Sequence, residues 1–445
     1  MSGDGAELRC TVLANGRAVA VVSRIELAPL DMVEFDGDAV MRVIARGDMG
    51  PYTRAIGSII DSLGIPGNVE SLPAAKDPRY GEVVSGMGSA VGEVAGRLAK
   101  AFISGAPIIV HYHNDGDGAT AAIALHRGFG LLVERGLCDG RQASWQMSRG
   151  VAYTYESLYT DRMLFQPYTS AERPLIVILD FGTTPESNGA MAAAAGSYDI
   201  VWIDHHVIPD GFVRQGEYLN PFDHGGDSRL SAGLVASAAA EAMGARCTDI
   251  AEASLISDYS PYADRADGRA VRIATALDYL TSRGEYGGDR PKRMDEIVRD
   301  EAELGRVYAN AKGKMDEALE AGLRTARRYA ARDGTKVAAL DFKHVAKLGL
   351  DYPLPGRYSS RLQERLEKLN RGGTVTIVYY GRYISIRVSA DVAKRVNILG
   401  MISRLSEGTG GRLTGGGHME AASIRIGDYD MQEAVALLLN ELGAA

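Results

Sequence analysis

Cysteine is scarce in this chain of 445 residues: Cys10, Cys138 and Cys247 are far apart, odd in number and outside any CxxC spacing. Neither a disulfide framework nor a thiolate metal site is expected, and a reducing cytoplasm is the default compartment. Long apolar runs are missing too. No stretch of about 18 apolar residues exists to cross a membrane, and no basic-then-apolar leader is read at the start. Positive charge is not in excess: 49 Lys and Arg stand against 57 Asp and Glu, a net −8, which argues against indiscriminate nucleic-acid binding. Histidine is rare, with eight in the whole chain, yet His111, His113, His205, His206 and His418 all fall in loops of site-like composition. What remains, 46% hydrophobic and 24% charged residues, describes an ordinary globular protein long enough for two or three domains.

The stretch Pro107–Thr120, PIIVHYHNDGDGAT, concentrates the chemistry. An apolar run, Ile108–Val110, ends abruptly in His111, His113, Asp115 and Asp117. Uninterrupted apolar runs of this kind read as buried parallel strands, and open α/β sheets bind ligands just beyond the carboxyl ends of such strands. The design recurs twice. PLIVILDFG ends in Asp180, and DIVWIDHH ends in Asp204, His205 and His206. Imidazoles and carboxylates crowded in this way repel one another unless a cation joins them, and a divalent metal pair is the natural counter-charge. Hard oxygens with imidazole suit Mn²⁺ or Mg²⁺. Asp180, alone at its strand end, is the candidate bridging carboxylate. The ordinary readings are Asp-Gly turn chemistry for Asp115 and Asp117, and a helix cap for Asp180.

Along the chain, residues 1–48 alternate apolar and polar positions around Asn15-Gly16 and Asp36-Gly37, the pattern of two hairpins. Helices are expected at Tyr52–Leu63 and Glu82–Phe102. Strand and helix signals then alternate to about Arg283, with helices at Ala119–Arg135, Ser187–Ala195, Ser231–Met243, Asp249–Ile256 and Arg269–Leu280, which predicts an α/β domain with a parallel sheet. Ser231 stands where an N-cap is wanted. Met294–Ala331, charged and free of proline, reads as a long helical connector. A second, smaller α/β unit follows, with a hairpin TVTIVYY-GR-YISIRVS and helices at Ser359–Leu369, Ala393–Ser406 and Met431–Leu442. The expected division is a β-rich module at 1–104, a catalytic domain at 105–290, a helical connector at 291–334 and a substrate-binding domain at 335–445.

Charge is unevenly placed. Between Lys336 and Tyr429 there are 15 Lys and Arg against 8 Asp and Glu, so this segment is +7 and the remainder −15. A positive module beside an acidic one suits a polyanionic phosphate substrate, although an unevenly charged solvated surface gives the same count. In GTGGRLTGGGHMEAASIRI, Gly415, Gly416 and Gly417 would let backbone N–H groups approach an anion as a nest, and His418 adds a donor or a stacking ring. Arg387 offers a forked phosphate contact, while Tyr379, Tyr380 and Tyr383 offer stacking surfaces.

HxDxDG at His113–Gly118, DFG at Asp180–Gly182, DHH at Asp204–His206 and the acid of LISDYSP at Asp258 together resemble the four motifs of the DHH phosphoesterases. GGGH at Gly415–His418 resembles the signature of the domain that follows the catalytic one in the RecJ and oligoribonuclease-type branch, and ISIRVS, with Arg387 and Ser389, resembles its substrate-binding strand. The resemblance covers roughly 106–283 and 336–428. It implies one metal held by His113, Asp115 and Asp180, and a second held by Asp117, Asp180, His205 and Asp258. His206 would face the scissile phosphate and Asp204 would orient its neighbours. Relatives carry the first-motif histidine either four or two residues before the first Asp; this chain has both His111 and His113, and His113 stands where archaeal RecJ-like members carry theirs. Asp249, Asp264 and Asp267 are the alternatives to Asp258. The expected activity is exonucleolytic hydrolysis of single-stranded DNA or RNA with two Mn²⁺ (or Mg²⁺), releasing mononucleotides. Short oligonucleotides or cyclic dinucleotides are alternative substrates, and a non-catalytic replication scaffold is the alternative role. Replication or repair proteins are the expected partners, and a membrane is not.

Overall fold

The computed structural model of the chain describes residues 8–14, 17–23, 32–36, 39–45, 49–65, 73–138, 140, 143–166, 172–265, 267–283, 290–370, 372–417 and 419–444. It divides into two compact units, Met1–Gly305 and Arg306–Ala445.

The first unit opens with β1 (Leu8–Ala14), β2 (Arg17–Ser23), β3 (Met32–Asp36) and β4 (Ala39–Ala45) in the order β1-β2-β4-β3. β1–β2 and β3–β4 pair antiparallel, as the alternating pattern predicts. The expected turn residues Asn15, Gly16 and Gly37 lie outside the described residues.

The sheet that matters for function contains β5 (Ile108–His113), β6 (Ala143–Ser148), β7 (Leu175–Leu179), β8 (Asp199–Ile203) and β9 (Glu217–Leu219). All five are parallel, in the order β6-β5-β7-β8-β9. The chain therefore winds outward in both directions from β5 and β7, and such a reversal leaves a crevice at their carboxyl ends. The apolar runs seen in the sequence are these strands, and every residue of β7 is buried. One face packs Ile109, Ile176, Ile178 and Trp202 against helices Tyr155–Phe165 and Asn188–Ala195. Helix Gly116–Glu134 packs against Ala232–Ala242 and Thr248–Ser257. Inside that helical layer the Arg127 guanidinium reaches Asp249 at 2.6 Å and Asp295 at 2.7 Å. A buried charge is tolerated only when paired in this way.

Met294–Ala331 is not one helix. It is divided into helices Arg290–Arg299 and Glu301–Thr325 and strand β10 (Arg327–Ala330). Asp300 makes the break: its carboxylate accepts from the N–H groups of Ala302 (2.9 Å) and Glu303 (3.0 Å), starting a new helix.

The second unit adds β11 (Lys336–Asp341), β12 (Thr374–Tyr380), β13 (Tyr383–Val388), β14 (Leu413–Gly417) and β15 (Ala421–Ile426) to β10, in the order β10-β11-β12-β13-β15-β14. Only β11 and β12 are parallel. Period-two alternation covers both faces: Val337 and Ala339 join one apolar cluster, Ala338 and Leu340 the other. The fold is thus α/β, a parallel-sheet unit followed by a smaller mixed-sheet unit.

Candidate metal centre

Helix Gly116–Glu134 begins where β5 ends, and Asp115 is its N-cap, accepting from Gly118 N–H at 3.0 Å. Gly118 allows this tight return, because a Cβ there would lie 2.3 Å from the His113 carbonyl oxygen. The same turn brings His113 Nδ1 within 2.8 Å of Asp115 Oδ2 and 3.9 Å of Asp180 Oδ2. Asp180 ends β7 with φ 63, in the left-handed region that non-glycine residues seldom occupy. Tyr259, next to Asp258, has φ 55; strained backbone of this kind gathers at functional sites.

Asp117 is 3% exposed and points across the helical layer. Its carboxylate accepts from the N–H groups of Ala232 (2.8 Å) and Gly233 (2.9 Å) and from the Ser254 hydroxyl. Ser231 does occupy the N-cap position, yet its hydroxyl bonds Ser254 and the capping carboxylate comes from 115 residues away. A helix N-terminus holds an anion well, which keeps this carboxylate in place.

His205 ties the groups together. Its Nε2 lies 3.4 Å from Asp180 Oδ1 and 3.8 Å from Asp117 Oδ2, while its Nδ1 lies 3.0 Å from the Ser228 carbonyl and 3.6 Å from Asp258 Oδ2. A carbonyl can only accept, so Nδ1 carries a proton toward Ser228, and Nε2 is the ring nitrogen that faces the carboxylates. Asp204 is fully buried and accepts from the Thr183 hydroxyl, from His205 N–H (2.7 Å) and from His206 Nδ1 (2.8 Å).

Donor atoms of His113, Asp115 and Asp180 lie within 4.8 Å of one another, as do those of Asp117, His205 and Asp258, and those of Asp180, Asp204, His205 and His206. Burial, then the neighbouring Asp117 and Asp115 carboxylates, push the Asp180 carboxyl well above its ordinary range. Burial raises Asp117 and Asp258 as well, against the opposing pull of His205. Burial alone would lower His205, but Asp258, Asp180 and Asp117 hold it well above an ordinary imidazole. Asp204 goes the other way. Despite burial, His206 beside it and the Thr183 hydroxyl keep its carboxyl well below the usual range. Among the described residues the ion-pair partners of Asp117, Asp180 and Asp258 are histidines alone. Carboxylates gathered with imidazole and without a fixed cation form a donor set that fits divalent metal.

The other sequence candidates fall elsewhere. His111 is buried with its Nε2 2.8 Å from Asp161 Oδ2, an acid that also accepts from Tyr153 OH at 2.7 Å. Asp249 is engaged by Arg127 and Arg269, Asp267 accepts from Ala270 N–H, and the Asp264 side chain lies outside the described residues. In the second unit Arg387 donates to Ser360 Oγ (2.9 Å) and Ser385 Oγ (3.1 Å). Ser389 Oγ accepts from Thr374 N–H and donates to Asp391. Gly415, Gly416 and Gly417 form the extended edge strand β14, paired with Ile424, Ser423 and Ala422. In an extended strand successive N–H groups point to opposite sides, so these three do not make the expected nest. Their lack of side chains serves close pairing instead: a Cβ on Gly415 would lie 2.2 Å from Ser423 O, and Gly417 has φ 139. His418 lies outside the described residues. Thr183, Ser228 and Ser254 were not foreseen, and as two hydroxyl donors and one carbonyl acceptor of no fixed spacing they leave no sequence signal.

Residues 107–257 match the family model described as "DHH family, N-terminal domain". Over 229 residues, 47% of the chain, there is 30% identity to "Uncharacterized protein MJ1198" of Methanocaldococcus jannaschii; the chain spans 30% of that relative's length. A solved structure described as "Member of s1p family of ribosomal proteins PF0399 DHH domain" superposes with TM-score 0.73 at 23% identity, covering 88% of this chain and 98% of that one. The "Crystal structure of exonuclease RecJ bound to manganese" gives TM-score 0.49 at 18% identity, covering 79% and 93%. Residues 107–257 are therefore a DHH-family N-terminal domain, and the strand-end cluster of acids and imidazoles lies within and just beyond it.

Proposed function

We propose that the protein is a metal-dependent phosphodiesterase that hydrolyses single-stranded nucleic acid from one end. The observation that carries this reading is the convergence of Asp115, Asp117, Asp180 and Asp258 with His113 and His205 at the carboxyl ends of β5, β7 and β8. His113, Asp115 and Asp180 would hold one Mn²⁺ or Mg²⁺, and Asp117, Asp180, His205 and Asp258 the other. When bound, such a pair supplies positive charge to the phosphoryl oxygens and acidifies a water.

The protein's own groups prepare the rest. The Ser228 carbonyl fixes the tautomer of His205. The amide groups of Ala232 and Gly233, with the Ser254 hydroxyl, aim Asp117. Asp204 holds His206 through Nδ1, leaving Nε2 of this half-exposed imidazole to face the scissile phosphate. We assign catalysis to residues 105–290 and substrate holding, through Arg387 and the β14 edge, to residues 335–445. Cytoplasmic location and replication or repair partners belong to the same proposal; no helix among the described residues is long and apolar enough to cross a membrane.

The test is hydrolysis of 5′- and 3′-labelled 30-mers of DNA and RNA beside a dinucleotide, with Mn²⁺, Mg²⁺ or chelator. Stepwise shortening of one labelled end with Mn²⁺ is expected. Strong preference for the dinucleotide replaces the exonuclease with a short-oligonucleotide phosphodiesterase, and no hydrolysis with either metal leaves a non-catalytic scaffold.

A further inference from the structure

Helix Tyr155–Phe165 has two apolar stripes where a surface helix needs one. Leu158, Asp161 and Phe165 face inward and are buried. On the other side Tyr155, Tyr159 and Met163, at i, i+4 and i+8, are 64%, 66% and 53% exposed, and Val151 just before the helix is 74% exposed. The one acid among the inward positions, Asp161, is committed to His111 and Tyr153. Exposed aromatic and aliphatic groups grouped like this mark a contact surface.

The stripe adjoins the candidate metal centre. Val151 accepts from Gly182 N–H at 3.1 Å, two residues beyond Asp180. The Tyr153 N–H donates to Ser187 Oγ at 3.0 Å, and a Cβ on Gly189 would meet the Tyr155 hydroxyl at 2.8 Å and the edge of its ring at 3.3 Å. These bonds seat the amino-terminal end of the helix against the segment that follows Asp180. Arg149 and Arg162 flank the stripe, with no salt bridge among the described residues, against the single exposed acid Glu156 of the helix. Rings one helical turn apart are separated by about 6 Å along the axis, more than the 3.4 Å repeat of stacked bases. Bases meeting both rings would have to be unstacked, as they are in a single strand.

We propose that Tyr155 and Tyr159 form a stacking platform for unpaired bases of a single-stranded nucleic acid approaching the metal centre, with Arg149 and Arg162 meeting its phosphates. This deepens, and rests on, the phosphodiesterase reading. Aromatic platforms beside scattered cations recognise single strands without regard to sequence. The platform makes the protein selective for strands that carry exposed bases.

The experiment uses the full chain in chelator and measures anisotropy of labelled oligo-dT and of an abasic strand of equal length and charge. Wild type should bind oligo-dT more tightly. The double variant Tyr155→Ala, Tyr159→Ala should lose oligo-dT affinity by about 5- to 100-fold, leave abasic binding unchanged and hydrolyse bis-p-nitrophenyl phosphate with Mn²⁺ as wild type does. Tyr155→Trp with Tyr159→Trp should restore oligo-dT binding. Unchanged oligo-dT affinity in the alanine variant overturns the platform, as does equal loss on the abasic strand. Loss of self-association alone assigns the stripe to a protein contact, which also overturns it. Absence of bis-p-nitrophenyl phosphate hydrolysis by wild type removes the phosphodiesterase reading independently.

Discussion

Replacing Asp180 with Asn separates a metal centre from a structural polar cluster. Asp180 is 2% exposed and faces the Asp117 and Asp115 carboxylates, which with burial raise its own carboxyl. Removing its negative charge should therefore stabilise the metal-free protein, because a buried like-charge contact is relieved. Asn is the right replacement at φ 63, since it tolerates the left-handed region; Ala there would add about 1–2 kcal/mol of backbone strain and mask the effect. With cation present the order should reverse. Mn²⁺ at 100 times its dissociation constant stabilises a native protein by about 2.7 kcal/mol, or roughly 5 °C in Tm for a unit of this size. Asp180→Asn, missing the shared carboxylate, should gain little. Thermal denaturation of both proteins in chelator and in excess Mn²⁺ gives the four numbers needed. If the variant is the less stable protein in chelator and gains as much as wild type from Mn²⁺, Asp180 is an ordinary hydrogen-bonding acid and the proposed bridge is wrong.

Two further outcomes are expected. Glu241, 6% exposed, has only backbone amide donors among the described residues, such as Ala74 N–H (3.4 Å), and burial pushes its carboxyl up to about 7. Between pH about 4.5 and 7 the folded chain retains a proton that the unfolded chain releases, so stability falls as pH rises through that window. Glu241→Gln should add up to about 3 kcal/mol at pH 8 and nothing at pH 4.5, read by urea denaturation; a gain independent of pH would contradict the burial argument. Gly118→Ala drives a methyl group to 2.3 Å from the His113 carbonyl oxygen, whereas Gly130 on the same helix has open space. The first should cost about 1–3 kcal/mol or more and the second should stabilise by about 1 kcal/mol; equal effects in chemical denaturation would refute the steric reading of the DGDG turn.

Much of this molecule was legible without coordinates because its strands announce themselves chemically. A parallel strand buried on both faces must be apolar throughout, so Ile108–Val110, Leu175–Leu179 and Ile200–Ile203 stand out, and the acids and imidazoles that follow each run can only lie at the sheet's carboxyl edge. The Gly-rich stretch was misleading, because glycine permits a nest and an edge strand alike, and cross-strand pairing with Ile424, Ser423 and Ala422 decides between them. Periodicity also missed the break at Asp300, where one carboxylate satisfying two amide groups outweighs helix propensity on either side.

Sequence alone supplied the candidate groups, since His113, Asp115, Asp117, Asp180, His205 and Asp258 stand in recognisable motifs, and the fold is what gathers their donor atoms. Tertiary structure decided what each of them does there. His111 and His113 share a strand and a residue type, but the first meets Asp161 and Tyr153 while the second meets Asp115 and Asp180. Asp117 is held by the start of a helix 115 residues away. Such assignments depend on which partner lies within about 3 Å, and hydrogen bonding at that range is a property of the folded chain rather than of spacing along it.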